Sequence, residues 1–84
     1  MKLLFDPNAL EDLKYWVKYN KKIALEILSF LDEIQKTPFK GTGKPEALRY
    51  NLSGCWSRRI DLEHRIVYKV EDNIITVLAC RYHY

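Results

Sequence analysis

The spacing of apolar residues changes at Thr37-Pro38, and this change divides the chain into two parts with different structural requirements. Before this dipeptide, apolar residues recur every three or four positions, which predicts amphipathic helices. After it, short apolar or alternating segments are separated by turn residues, which is typical of strands. Because a proline disfavours helical backbone in the residue before it, we expect the helical part to end here.

The first part begins with a short predicted strand at 3–5 and continues with two helices. Asp6-Pro7 is a strong helix start, since Asp is a preferred N-cap and Pro suits the first helical position. This helix should run from 7 to about 19, with Leu10, Leu13 and Val17 on one face. A second helix is predicted after Asn20. Its expected core residues are Ile23, Ile27, Phe30, Leu31 and Ile34, and its expected outward residues are Lys21, Lys22, Glu26 and Glu33.

The second part predicts an antiparallel meander. Strand signals lie at 48–52, 55–61, 65–70 and 74–81, with turns at Ser53-Gly54 and Asp72-Asn73. The order of strand, two helices and meander indicates an α+β fold, in which the helical hairpin packs on one face of a twisted antiparallel sheet. A chain of 84 residues supports one core, so we expect residues 1–84 to form a single domain.

Period-two alternation assigns faces to these strands. The residues expected against the helices are Ile66, Tyr68 and Val70, paired with Ala79, Val77 and Ile75, together with Trp56 and Ile60. Ser57, Arg59 and Arg65 have the opposite parity, so two arginines should share an uncovered face. Alternation leaves the placement of His83 undetermined, because it lies beyond the last predicted ladder residue.

The positive charge is concentrated in the middle of the chain. Residues 36–65 contain seven basic and three acidic side chains, a net charge of +4, whereas the whole chain carries +3. This segment should attract a polyanion. The glycines of loop 39–45 do not indicate a nucleotide site, because no strand precedes them and no P-loop pattern follows.

The compartment and the use of cysteine can also be predicted. No apolar run approaches the roughly 20 residues of a membrane span, and the N-terminus lacks the pattern of a secretory signal, so we expect a cytoplasmic protein. Cys55 and Cys80 are too few for a disulfide scaffold and lack zinc-ligand spacing. We expect reduced thiols packed in the sheet and no metal site.

Four residues could together cleave RNA through its own 2′-hydroxyl. The reaction needs a base, a cation on the phosphoryl oxygens and an acid for the departing 5′-oxygen. Glu46, Arg65 and His83 supply these groups without a metal or cofactor, and Tyr84 could stack on a base or hold the phosphate. Each also has a structural alternative: Glu46 as loop surface, Arg65 as a strand salt bridge, and His83 and Tyr84 as a docked tail.

Several spaced motifs resemble the YoeB toxins of the RelE superfamily. The resemblance covers almost the whole chain. The motifs are Thr37-Pro38-Phe39, Gly43-Lys44-Pro45-Glu46, Asn51-Leu52-Ser53-Gly54, Trp56-Ser57-Arg58-Arg59-Ile60, Glu63-His64-Arg65, Val67-Tyr68 and Ala79-Cys80-Arg81-Tyr82-His83-Tyr84. Two positions depart from the pattern, with Cys55 in place of an aromatic residue and Arg49 in place of the usual lysine.

This resemblance implies a microbial-RNase-like fold and a ribosome-dependent endoribonuclease that cuts mRNA in the A site. By motif position, Glu46 would be the general base, His83 the general acid, Arg65 the phosphate stabiliser and Tyr84 an orienting group. Lys44, Arg49 and Arg59 are the expected RNA-binding residues. The implied partners are the ribosome with its mRNA, a YefM-type antitoxin whose extended segment blocks the site, and a second copy of the chain.

Other functions fit part of the pattern. A non-catalytic binding module would use the same basic face but would need neither Glu46 nor His83. A ParE-like toxin would share the architecture and act on DNA gyrase, but that lineage lacks this set of side chains. An autonomous RNase is a third alternative, although a net charge of +3 gives only weak non-specific affinity for RNA.

Overall fold

In the computed structural model, which describes residues 1–82, two helices pack on a five-stranded sheet. The elements in chain order are β1 (Lys2–Phe5), α1 (Pro7–Tyr19), α2 (Lys21–Lys36), β2 (Glu46–Ala47), a 3₁₀ turn (Tyr50–Leu52), β3 (Cys55–Arg59), β4 (Arg65–Glu71) and β5 (Ile74–Ala79). The predicted α+β class is therefore confirmed. Within residues 1–82, neither helix is long and apolar enough to span a membrane.

The sheet has the strand order β1-β5-β4-β3-β2 and is mixed. Strands β2 to β5 form an antiparallel meander, in which β3, β4 and β5 correspond to predicted strands and β2 does not. Strand β1 instead pairs in parallel with β5, with Leu3 opposite Ile75. This pairing joins segments some 70 residues apart, so no local turn signal announces it.

Short-range capping fixes the helix boundaries. The Asp6 carboxylate accepts a hydrogen bond from the Asn8 amide at 2.9 Å, and Pro7 occupies the first turn of α1. Asn20 ends α1 through a bond from its amide to the Trp16 carbonyl at 2.8 Å, and its side chain accepts from the Ile23 amide at 3.3 Å. One residue thus caps two helices and forces the hairpin bend.

The main core lies between the helices and the sheet. It contains Ala9, Trp16, Ala24, Ile27, Leu31, Ile34, Ile66, Tyr68, Ile75 and Val77. On α2, Ile27, Leu31 and Ile34 are buried as predicted, and Ile23 and Phe30 are partly buried against the same core. On α1, Leu13 packs against this core as predicted, but the prediction was wrong for Leu10 and Val17, which are 44% and 50% exposed. Ala9 and Trp16 are buried instead. The Trp16 indole donates to the Cys80 carbonyl at 2.8 Å, which fixes the rotation of α1 about its axis.

The predicted strand at 48–52 was wrong. Strand β2 stops at Ala47, and the chain turns through a 3₁₀ segment in which Tyr50 has a left-handed φ of 59°. Leu48 and Leu52 pack with Cys55 and Val67 in a second, smaller cluster on the face opposite the helices. The apolar residues that suggested a strand therefore serve this cluster.

The pairing of β4 with β5 differs from the predicted pairing by a register shift between Val67 and Tyr68. Val70 lies opposite Ile75 and Tyr68 opposite Val77, as expected, but Ala79 pairs with Val67 and not with Ile66. One extra residue in β5 produces this bulge. Leu78 and Ala79 consequently both pack against the smaller cluster. The predicted strands at 55–61 and 74–81 each end two residues early, at Arg59 and Ala79.

Arg58 is a fully buried cation on the helix side of β3. Its guanidinium donates to the Glu33 carboxylate, to the Thr37 carbonyl at 2.6 Å and to the Lys40 carbonyl at 2.7 Å. Its Nε donates to the Tyr68 hydroxyl at 3.2 Å. A buried guanidinium is tolerated only when it is paired and hydrogen-bonded, and these partners meet that requirement.

Glu33 was expected to point outward, and this expectation was wrong. Its carboxylate turns toward Arg58 and accepts the Thr42 amide at 2.7 Å and the Thr42 hydroxyl at 3.1 Å. The Thr42 backbone bond and the other hydrogen bonds hold the pKa of Glu33 below its ordinary value, although burial opposes them. The end of α2 and the following loop are thereby joined to the sheet.

We expect Arg58→Met to lower the free energy of unfolding by about 3 kcal/mol, because the Thr37 and Lys40 carbonyls and the Glu33 carboxylate lose the buried donor that joins them to the sheet. Urea unfolding followed by tryptophan fluorescence measures the change. Arg59→Met is the matched control, since Arg59 is exposed on the neighbouring position and should change stability by only about 0.5 kcal/mol. Equal effects at the two positions would contradict a structural role for the buried guanidinium.

Candidate functional site

Three of the predicted site residues lie together at one end of the open sheet face. Glu46 pairs with Ser57, and Arg59, two residues further along β3, pairs with Arg65. Residues directly opposite across antiparallel strands have Cβ atoms about 5 Å apart and share a face. Glu46 and Arg59 are exposed and Arg65 is half-buried, so a carboxylate and two guanidinium groups face the same open surface.

A tight loop places Glu46 beside β3. The Arg59 amide donates to the Gly43 carbonyl at 2.6 Å, and Gly43 and Lys44 both have left-handed backbone, with φ of 80° and 50°. This bond joins the loop to the end of β3 immediately before Glu46 begins β2. Lys44, another predicted RNA-binding residue, is exposed next to it.

A cleft of about 480 Å³ borders this surface. It is lined by Glu46, Ala47, Leu48, Arg49, Tyr50, Asn51 and Leu52. Arg49 is exposed there, and the Tyr50 ring is 91% exposed at the rim. No sequence pattern marks Tyr50, because its ring projects into solvent only as a result of the 3₁₀ turn.

The described part of the tail is docked. The Cys80 amide donates to the Asp12 carboxylate at 3.0 Å, and the Arg81 guanidinium lies 3.5 Å from the centre of the Tyr15 ring. The Arg65 amide donates to the Tyr82 carbonyl at 2.9 Å, which joins the tail to the start of β4. The predicted acid His83 and orienting residue Tyr84 lie outside the described residues.

Neither cysteine is accessible at the protein surface. Both are free and buried, as predicted, although Cys80 follows β5 and does not lie within a strand. Burial, assisted by the Asp12 charge, raises the pKa of Cys80 to about 12, so the thiol is protonated at neutral pH. Within residues 1–82, no three His, Cys, Asp or Glu side chains are grouped as a metal site would require.

Comparison with known proteins gives consistent matches. A family model described as a YoeB-like toxin of bacterial type II toxin-antitoxin systems matches residues 5–84. Toxin YoeB of Escherichia coli strain K12 is 48% identical over 84 residues and is aligned along the full length of both chains. Toxin RelK of Mycobacterium tuberculosis is 52% identical over 80 residues, which are 95% of this chain and 94% of that protein.

Solved structures agree with these matches. The YoeB-YefM complex from Staphylococcus aureus contains a chain 46% identical to this one, with a TM-score of 0.90. The YoeB dimer from the same organism is 45% identical, with a TM-score of 0.92. Each comparison covers 100% of this chain and 98% of the other.

We expect Gly43→Ala to destabilise the protein more than Gly54→Ala. Both glycines have positive φ, so both substitutions carry a strain of about 1 kcal/mol. A Cβ at Gly43 would also lie 2.8 Å from the Phe30 ring and 2.9 Å from the Arg59 carbonyl, whereas a Cβ at Gly54 meets open space. The crowding should add roughly 1–3 kcal/mol. Thermal and urea unfolding of the two variants tests this, and equal losses would contradict the crowding argument.

Proposed function

The chain belongs to the family of YoeB-like toxins of bacterial type II toxin-antitoxin systems, and we propose that it is a ribosome-dependent endoribonuclease that cuts mRNA in the A site. The observation that carries the proposal is the placement of Glu46, Arg59 and Arg65 on one open face beside a cleft. A carboxylate and two cations on this face can serve a phosphoryl-transfer reaction. The proposed compartment is the cytoplasm, where ribosomes translate mRNA.

The proposed reaction uses the RNA as its own nucleophile. Glu46 removes the proton of the 2′-hydroxyl, whose oxygen then bonds to the adjacent phosphorus. Arg65, assisted by Arg59, stabilises the charge that grows on the phosphoryl oxygens. His83 donates a proton to the 5′-oxygen as its bond to phosphorus breaks, and Tyr84 orients the phosphate. The products are a 2′,3′-cyclic phosphate and a free 5′-hydroxyl.

The surroundings of the site suit single-stranded RNA. Lys44, Arg49 and Arg59 are exposed and would contact the RNA backbone. The exposed Tyr50 ring offers a surface on which an unpaired base can stack. A net charge of +3 gives little non-specific affinity, which supports a need for the ribosome to present the substrate.

The proposal extends to two protein partners. The toxin in the Staphylococcus aureus complex is bound to YefM. We propose that this chain also binds a YefM-type antitoxin and that the antitoxin covers its open face. A homodimer is proposed from the dimer structure of that relative. Among the large apolar side chains of the two helices, Leu28 is 48% exposed and is available for such an interface, whereas Trp16 is buried in the core and is not available.

We expect His83→Ala and Glu46→Gln each to lower cleavage roughly 10²–10⁴-fold while ribosome binding stays nearly intact, because acid and base act in the transition state. Mapping cut ends on mRNA with and without ribosomes measures this. Glu71→Gln, at the far end of β4, is the control and should cut like the parent. A fully active His83→Ala variant would remove His83 from the mechanism. In cells, the gyrase-directed alternative would be favoured if induction of the toxin disturbed DNA supercoiling before it disturbed translation.

Arg65→Lys should cause a clear loss of rate with the fold unchanged, because lysine keeps the charge but loses the two-pronged donor geometry. Single-turnover cleavage on programmed ribosomes gives the rate, and circular dichroism gives the fold. Arg49→Lys is the comparison, since a charge alone should largely suffice for backbone contact and the loss should be smaller. If the Arg65→Lys variant cuts as fast as the parent, Arg65 only attracts the RNA backbone.

A further inference from the structure

His64 lies in the short connection between β3 and β4, immediately before Arg65, and is 8% exposed. Its backbone is fixed at both ends. Its amide donates to the Asp61 carboxylate at 2.7 Å, and its carbonyl accepts the Ile60 amide at 2.9 Å. The Trp16 ring meets the imidazole edge-on, with centroids 4.7 Å apart. The imidazole therefore has a defined orientation between α1 and the tail.

The Nδ1 atom of this imidazole accepts a hydrogen bond from the Tyr82 backbone amide at 2.7 Å. An acceptor nitrogen carries no proton, so the ring is in the neutral tautomer with its proton on Nε2. Nε2 lies 3.4 Å from the exposed Glu63 carboxylate, which favours the same tautomer. The ring is thus arranged to receive a backbone donor from the tail.

Tyr82 has a left-handed φ of 60°, which is unfavourable for a residue with a side chain and requires support. Its amide is bound by the His64 side chain, and its carbonyl accepts the Arg65 amide at 2.9 Å. Two consecutive residues therefore hold both backbone groups of Tyr82. The bonds from Asp12 and Trp16 hold Cys80, two residues earlier, and do not reach Tyr82.

We propose that His64 is a positioning residue, whose imidazole holds the tail at Tyr82 and so sets where the chain continues toward His83 relative to Arg65. This inference rests on the proposed function, since it matters for catalysis only if His83 and Arg65 act on one phosphate. His64 contacts no reacting atom. Its effect passes through the Tyr82 backbone, which is covalently joined to position 83.

Two substitutions separate hydrogen bonding from packing. In His64→Asn, Oδ1 occupies the position of Nδ1, two bonds from Cβ, and can accept the Tyr82 amide. His64→Leu keeps comparable apolar bulk against Trp16 but has no acceptor. Amide exchange is measured by NMR at Tyr82, with the Cys80 amide as the internal reference, and cleavage is measured in single turnovers on mRNA-programmed ribosomes.

In the His64→Leu variant, we expect the Tyr82 amide to exchange about tenfold faster than in the parent, because one hydrogen bond is lost. The exchange rate of the Cys80 amide should change less. Cleavage should fall by at least about tenfold with ribosome binding retained, because a misplaced catalytic group lowers the rate and not the affinity. His64→Asn should recover most of both. This recovery distinguishes positioning from general support of the fold.

Four results would each overturn the inference. In the exchange data, they are an unchanged Tyr82 rate in the Leu variant and an equal acceleration at Cys80 and Tyr82. In the cleavage data, they are an Asn variant as impaired as the Leu variant and a Leu variant that releases Tyr82 yet cuts at the parental rate. If the parent itself does not cut mRNA on ribosomes, the proposed function fails, and the exchange data still decide whether His64 holds the tail.

Discussion

The buried guanidinium of Arg58 is the interaction on which the rest of the structure depends. Its donors must all be satisfied away from water. The acceptors come from the end of α2, from the loop that follows it and, for Nε, from the Tyr68 hydroxyl on β4. That loop continues directly into Gly43 and Glu46. The helical layer, the loop and the sheet are therefore joined at one residue, and the candidate site is built on the strand that carries it.

Local signals in the sequence were sufficient for the helices, and non-local contacts explain the errors. Asp6-Pro7, Asn20 and Thr37-Pro38 act within one turn of chain, so the helix boundaries follow from them. The rotation of α1, the parallel pairing of β1 and the bulge in β5 each depend on segments far apart in sequence. Strand 48–52 failed because its apolar residues pack in a second cluster that composition cannot reveal.

The candidate site was partly predictable for the same reason. Alternation places Arg59 and Arg65 on the open face, and the register agrees. The sequence also contains a signal for the buried position of Arg58. Arg58 has the helix-side parity of Trp56 and Ile60, and a charge at a core position requires hydrogen-bonding partners. His64 carried no such signal. Its role depends on the tail returning beside β4, which no spacing in the sequence encodes.

The parallel pairing of β1 with β5 also governs the order in which the protein can be assembled. The first strand and both helices are synthesised before β4 and β5, which carry Ile66, Tyr68, Ile75 and Val77 to cover them. Until then the helical hairpin has an uncovered apolar face, and β1 has no neighbour in the sheet. Pairings across so long a separation close slowly, because the entropy of loop closure is lost before the contacts are gained. A nascent chain therefore cannot have the completed sheet, and a toxin with this topology reaches its folded form only after β5 has been synthesised and released to fold.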